Sequence, residues 1–219
     1  MFPHDYEDMV YVEPFVGGGS VFFRKQPSHH DIINDKDPDI YAIYKAVKER
    51  DINDQIKRTK ITKKYFNEVL KGSHDPVKII ERHKSSFFSN GKTYNDKGHN
   101  IKTNFTPFHE RLKHVTIKNM DFKPLIKKYD SLDTLFYLDP PYAVKDIKDN
   151  PYPDYVTPQE VYDTLKNVKG KWILSYNDTP EIRRLFKRYY LQTIKTTYSG
   201  TKTIEPRTVT ELIITNYKT

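Results

Sequence analysis

The sequence contains no cysteine, so disulfide frameworks and thiolate metal sites are excluded, and a reducing, intracellular setting is expected. That setting is a bacterial or viral-host cytoplasm, or the nucleus if the source is eukaryotic. No apolar run is long enough to span a bilayer and no signal-peptide core is present, so no membrane partner is expected. The eight histidines show no metal-ligand spacing, and no metal site is expected. No plausible Ser/His/Asp triad stands out. A mean hydropathy of −0.80 and 30% charged residues could signal disorder, but 17 Tyr and 12 Phe argue for a packed core. The 219 residues suffice for one domain, or one domain with an insertion.

Positive charge is present and unevenly placed. Residues 45–118 hold 18 Lys/Arg against 8 Asp/Glu, whereas the rest of the chain is slightly acidic. Such a confined basic excess is the footprint of a polyanion-binding patch or of a lysine-rich helical surface.

Hydrophobic periodicity predicts strands over "MVYVEPFV" (9–16), "HDIIND" (30–35), "HVTIKNMDF" (114–122), "TLFYLD" and "KWILSYND". Helices are predicted from Asp37-Pro38 onward, in "KYFNEVLK", "PVKIIERHKSSFF", "VTPQEVYDTLKNV" and "TPEIRRLFKRYY". Thr157, Pro158 and Glu160 form a capping-box signature. Residues 89–108 read as a glycine-bearing loop, with a hairpin at Asn90-Gly91 or Lys97-Gly98. "YLQTIKTTYS" and "TVTELIITNY" read as an antiparallel edge hairpin. Strands alternating with helices at both ends predict an α/β fold with a mainly parallel sheet, interrupted by a basic, mainly helical insert.

Four features converge on the carboxyl edge of that sheet, where open α/β folds bind ligands. Gly17, Gly18 and Gly19 follow the first strand, where a turn allows close backbone approach. Asp35 ends the second strand 18 residues after Gly17, a spacing suited to a ribose-gripping carboxylate. No Gly-Lys-Ser/Thr follows, so the turn is not a P-loop, and the incomplete dinucleotide fingerprint favours a nucleoside cofactor over NAD. Asp121 is placed at the end of the third strand, beside the Phe122 N–H, or else caps a helix. Asp139-Pro140-Pro141-Tyr142 closes the next strand. A carboxylate followed by a proline-fixed carbonyl offers two acceptors and no competing donor, which suits an exocyclic amine, and the tyrosine can stack on its ring.

"VEPFVGGGSVFF", "IINDKDPDIYAIYKAVK", "FYLDPPY", "ILSYNDT" and "VTELIITNY" resemble, in order, the motifs of Dam-type (alpha-group) DNA adenine N6-methyltransferases. The resemblance covers most of residues 9–44 and 115–217. It implies a Rossmann-like class I methyltransferase sheet, S-adenosylmethionine as cofactor and double-stranded DNA as partner, with a homo- or hetero-dimer partner possible. It divides the chain into a catalytic domain of residues 1–44 and 115–219 and a target-recognition insert of residues 45–114. By carry-over, Glu13, Pro14, Phe15 and Gly17 to Gly19 line the cofactor pocket. Asp35 holds the ribose, Asp121 and Phe122 the cofactor adenine, and Asp139 borders both cofactor and substrate. Asp139, Pro140, Pro141 and Tyr142 receive a flipped adenine. The stretch "TYNDKGHNIKTNFTPFHER" resembles the family's DNA-proximal segment, with His109 where glycine is common. With the basic excess it nominates Lys84, Asn90, Lys92, Tyr94, Asn95, Lys97, Asn104, Arg111 and Lys113 as nucleic-acid contacts.

The family carries a Trp-x-Gly-Gly-Lys-like run before its first strand, whereas only Met1–Asp8 precede "MVYVE". A trimmed terminus, a more open cofactor pocket or closure by another element each account for this. Three functions stay open on these residues. They are transfer to DNA adenine, the same chemistry on RNA adenine or cytosine N4, and a non-catalytic nucleic-acid-binding relative with an incomplete pocket.

Overall fold

A computed structural model describes residues 1–56, 61–86, 93–95, 101–141, 156–198 and 207–218. The described elements begin with a 3-10 turn at Tyr6–Asp8, strand β1 at Val10–Glu13 and strand β2 at His30–Asn34. Helices α1 (Pro38–Glu49), α2 (Lys63–Leu70), α3 (Pro76–Lys84) and α4 (Thr106–Leu112) follow, then strand β3 (Thr116–Lys118). Helix α5 (Phe122–Tyr129), strand β4 (Thr134–Leu138), helix α6 (Pro158–Leu165) and strand β5 (Lys171–Asn177) come next. Helix α7 (Pro180–Leu185) leads into strands β6 (Tyr190–Tyr198) and β7 (Arg207–Thr215). The chain divides into two compact units, Met1–Lys36 with Met120–Thr219, and Asp37–Asn119.

In the first unit the strands follow the order β2-β1-β4-β5-β7-β6. β1 runs parallel to β2 and β4, and β4 runs parallel to β5. β7 is antiparallel to both β5 and β6. The terminal strands therefore form the expected hairpin, with the last strand inserted so that β6 takes the edge. All five β4 residues, "TLFYL", are buried, as befits a parallel strand covered on both faces. On one face Val12, Ile32, Phe136, Leu138 and Leu174 pack against Leu125 and Ile126 of α5, Val161 and Leu165 of α6 and Ile182 of α7.

Helix starts follow their local chemistry. Asp37, Thr62, Asp75 and Thr179 each accept a first-turn N–H, and proline stands in the first turn of α1, α3 and α7. The Thr157–Glu160 capping box is formed, each side chain bonding the other residue's backbone N–H.

Three expectations are corrected. The predicted strand over 114–122 is only Thr116–Lys118, and Asp121 caps α5 instead of ending a strand. Phe122, Leu125 and Ile126 have helical spacing and are buried, so packing of that stripe overrides the strand propensity upstream. The loop assigned to 89–108 gives way at Thr106 to α4. α7 stops at Leu185 because Phe186 and Tyr189 turn inward onto Trp172, with the Trp172 and Tyr189 rings 4.7 Å apart. The proposed turns at Asn90-Gly91 and Lys97-Gly98 lie outside the described residues.

The second unit has its own core, including Ile52, Phe66, Val69, Ile79, Ile80, Leu112 and Val115. Polar ties brace it. Arg82 pairs with Asp39, Tyr65 donates to Glu81, Lys48 donates to the Val115 carbonyl at 2.8 Å, and His109 bonds the Val47 carbonyl at 2.8 Å.

Close backbone approach dictates one glycine of the first unit. A Cβ at Gly170 would lie 2.6 Å from the Thr134 carbonyl oxygen and 2.8 Å from that of Ser131. The Asp130 carboxylate meanwhile accepts the Lys169 and Gly170 N–H groups, so the turn cannot simply slide away. Gly170→Ala is expected to cost about 2 kcal/mol or more by overpacking. Thermal unfolding should show Tm lower by roughly 4–8 °C; an unchanged Tm contradicts the close contact.

Candidate active site

The chain leaves β1 through Pro14 and Phe15 into a tight turn closed by the Gly19 N–H on the Val16 carbonyl at 2.7 Å. Gly17 and Gly19 adopt φ of +47° and +69°, a region that side chains disfavour. The Gly17 N–H donates to Asp35 Oδ2 at 2.9 Å, so the glycine turn and the carboxylate following β2 meet directly. No atom lies within 4 Å of where a Cβ would stand at Gly17 or Gly18, so this backbone is open to approach. The Phe15 ring packs on Phe122 with centroids 5.1 Å apart. Asp121 Oδ1 accepts the Lys123 N–H at 2.9 Å, placing its carboxylate at the start of α5. Phe15, Gly17, Asp35, Asp121 and Phe122 are thus gathered at the exits of β1 and β2 and the start of α5.

Glu13 and Pro14 face inward. Tyr11 donates its hydroxyl to Glu13 Oε2 at 2.6 Å, and the Pro14 carbonyl accepts from Asn34 at 2.9 Å. Burial pushes Glu13 up to about 8, with the nearby Asp139 charge adding to the shift, so it carries a proton at neutral pH. Below it Lys25 is ion-paired with Asp31 at 2.7 Å and lies over the Tyr11 ring at 4.3 Å.

Asp139 follows β4 directly. Leu138 belongs to the core, so strand alternation turns Asp139 to the opposite face, shared with Tyr137. Its side chain reaches solvent, yet the surrounding protein displaces much of its water, and Glu211 of β7 adds a like charge. Together these raise its pKa to about 6, so it is mostly ionised at neutral pH. Pro140 is buried, and its carbonyl takes no hydrogen bond from a described residue. The Pro141 carbonyl accepts the Val156 N–H at 3.1 Å, and Tyr176 donates to the Val156 carbonyl at 3.5 Å. Tyr142 lies outside the described residues.

The nucleic-acid candidates occupy varied positions in the second unit. Lys84 is exposed at the end of α3. Lys113 is exposed and ion-paired with Glu110 at 2.7 Å. Tyr94 packs on Phe66 and donates to the Ile61 carbonyl at 2.8 Å, while the buried Asn95 donates its N–H to Ser85. Asn104 accepts from the Asn53 amide at 2.9 Å and caps Thr106, and Arg111 is half-buried on α4. Asn90, Lys92 and Lys97 lie outside the described residues.

The profile of the D12 class N6 adenine-specific DNA methyltransferases matches residues 1–85 and 77–200. The chain belongs to this family. No curated protein matches it by sequence. Among solved structures, it is similar to a candidate RNA methyltransferase from Pyrococcus horikoshii, with 11% identity, TM-score 0.45 and 96% of this chain against 73% of that one covered. It is also similar to a precorrin-6Y C5,15-methyltransferase from Geobacter metallireducens, with 11% identity, TM-score 0.45 and coverage of 97% and 81%. A candidate methyltransferase from Streptococcus mutans in complex with SAH gives 8% identity, TM-score 0.38 and coverage of 95% and 89%.

The D12-class chain is therefore an S-adenosylmethionine-dependent methyltransferase with an α/β methyltransferase fold. The residues present fit the cofactor: an open glycine turn, a carboxylate against it, and an aromatic pair beside a second carboxylate. Among the described residues, no helix is long and apolar enough to cross a membrane, and no cluster suits a metal ion. Sequence reasoning missed Asn34 and Glu211. A polar residue flanking a short apolar run, Asn34 after Ile32-Ile33 and Glu211 before Leu212-Ile213-Ile214, was the only local signal.

Glu13 gives this methyltransferase a pH-dependent stability term. Its folded pKa of about 8 exceeds the ordinary 4.5, so the native state keeps a proton that the unfolded chain releases. That stability is complete below the unfolded value and is lost as pH rises through about 8. Glu13→Gln keeps the shape and removes the titration. Denaturant unfolding between pH 6.5 and 8, where Asp139 is already largely ionised, should show a shallower decline in the variant. Parallel slopes contradict a protonated Glu13.

Proposed function

We propose that the protein is a DNA adenine N6-methyltransferase that works on an adenine flipped out of the duplex. The observation that carries this is the end of β4, where an exposed, mostly ionised Asp139 precedes two prolines, on a strand adjacent to the one that leads into the glycine turn. Membership in a family defined by adenine N6 transfer to DNA supports the substrate.

S-adenosylmethionine supplies, when bound, an electrophilic methyl on a sulfonium sulfur. Gly17 to Gly19 would line its site, Asp35 would take the ribose hydroxyls, and Asp121, Phe122 and Phe15 would hold its adenine. The amine of the target adenine has two hydrogens. Asp139 would accept one and the Pro140 carbonyl the other, which would orient the nitrogen lone pair for attack on an electrophilic methyl. As the carbon–nitrogen bond formed, the methyl–sulfur bond would break to leave a thioether, and the nitrogen would give up one proton. Neither proline offers an N–H to compete for the carboxylate. Tyr142 stacks on the flipped ring, offsetting part of the cost of unstacking it. Residues 45–118, with their 18 basic and 8 acidic side chains, supply phosphate contacts, with exposed Lys84 and Lys113 among them.

Transfer of labelled methyl to duplex DNA, single strands and RNA tests the substrate directly; RNA or cytosine labelling alone rejects the proposal, as does no transfer at all. Asp139→Ala should lower turnover by roughly 100-fold or more while DNA binding persists. The wild-type rate should fall about tenfold per pH unit below about 6, as Asp139 takes up its proton. Retained turnover in the variant rejects the role of Asp139. Separately, duplex affinity should drop by about a thousandfold between roughly 50 and 200 mM salt. A salt-insensitive affinity means that the basic excess is incidental.

A further inference from the structure

Asn34 ends β2 and is 1% exposed, yet its side chain is an amide. Every hydrogen of that amide is used. Nδ2 donates to the Pro14 carbonyl at 2.9 Å and to the Met120 carbonyl at 3.0 Å, and Oδ1 accepts the Met120 N–H at 3.1 Å. The two bonds with Met120 close a ring, as two paired strand residues do. The Asn34 backbone carbonyl also accepts the Val16 N–H at 2.9 Å. One residue therefore ties the exit of β1, the end of β2 and the turn before α5.

Each tied point is next in sequence to a group assigned to the cofactor. Pro14 precedes Phe15, Val16 precedes Gly17, Met120 precedes Asp121, and Asn34 itself precedes Asp35. We propose that Asn34 is a positioning residue of the cofactor site, its buried amide holding the glycine turn, Asp35 and Asp121 in one frame. The proposal rests on the assignment of S-adenosylmethionine to those residues. The amide is the group this place requires. A leucine would leave two carbonyls and an N–H buried without partners, and an aspartate would set a carboxylate against both carbonyls.

The test titrates the full chain with S-adenosylhomocysteine by calorimetry, with no methyl acceptor present. Asn34→Ala should raise Kd about tenfold or more, measured well below the melting temperature, where a loss of stability alone leaves Kd unchanged. At saturating cofactor, kcat should stay within a few-fold of wild type, so the defect appears in KM. In the wild-type chain, S-adenosylhomocysteine should slow hydrogen exchange of the Met120 and Val16 amides together with Gly17, a readout that needs no variant to fold. A cooperatively folded Asn34→Ala protein with Kd within twofold of wild type overturns the inference, as does protection confined to Gly17. Wild-type protein that fails to bind S-adenosylhomocysteine overturns the cofactor assignment as well. Equal binding by the two proteins overturns this inference alone.

Discussion

Parallel pairing of β1 with β2 on one side and β4 on the other is the constraint on which the candidate site depends. Parallel strands share a direction, so their exits gather at one edge. Glu13 lies opposite Ile33, and Val12 lies opposite both Ile32 and Phe136. Continuing that register brings the glycine turn, Asp35 and Asp139 to the same edge, although they are scattered over more than a hundred residues of chain. A slip of β4 by one residue would move Leu138 to the face of Tyr137 and turn the Asp139 carboxylate into the core face that Leu138 fills. Core packing thus sets the site to within a residue.

This dependence explains what could be read from the chain and what could not. Strand ends marked by a carboxylate or a proline, and helix starts marked by Asp-Pro or Thr-Pro, carry their geometry locally, so β1, β2, β4, β5, α1 and α6 were legible. Asp121 was less so. The residues before it favour a strand, whereas α5 forms because Phe122, Leu125 and Ile126 bury one stripe against the sheet, a tertiary effect. Asn34 was invisible for a stricter reason. Its bonds reach 20 residues back and 86 residues ahead, and no local window contains them.

Burial raises both carboxylates of this edge, but leaves them in different charge states at neutral pH. Glu13 is dry and bonded to Tyr11, and it stays neutral at pH 7. Asp139 reaches solvent, and although its pKa is raised to about 6 it remains mostly charged. The two effects support each other. A neutral Glu13 adds no negative charge beside Asp139, and a charged Asp139 helps keep the proton on Glu13. An ionised Glu13 would crowd one edge with three carboxylates, counting Glu211, and would push Asp139 further toward its uncharged form.

The two prolines after Asp139 show how one sequence motif can serve two ends. They are chemically alike, each lacking an N–H and each holding φ near −65°. Their carbonyls differ in what reaches them. That of Pro141 takes the Val156 N–H and ties the chain leaving β4 to the chain entering α6. Val156 is in turn bonded by Tyr176 of β5, so the tie is anchored in the sheet. That of Pro140 takes no bond from a described residue and follows Asp139 by one position. Under the proposed chemistry this division is required. An acceptor meant for a substrate amine must be held rigidly while forming no internal bond, and the second proline supplies the rigidity by satisfying its own carbonyl elsewhere. Replacing the first proline by an ordinary residue would introduce an N–H next to the carboxylate, in competition with the amine that the proposed chemistry assigns to it.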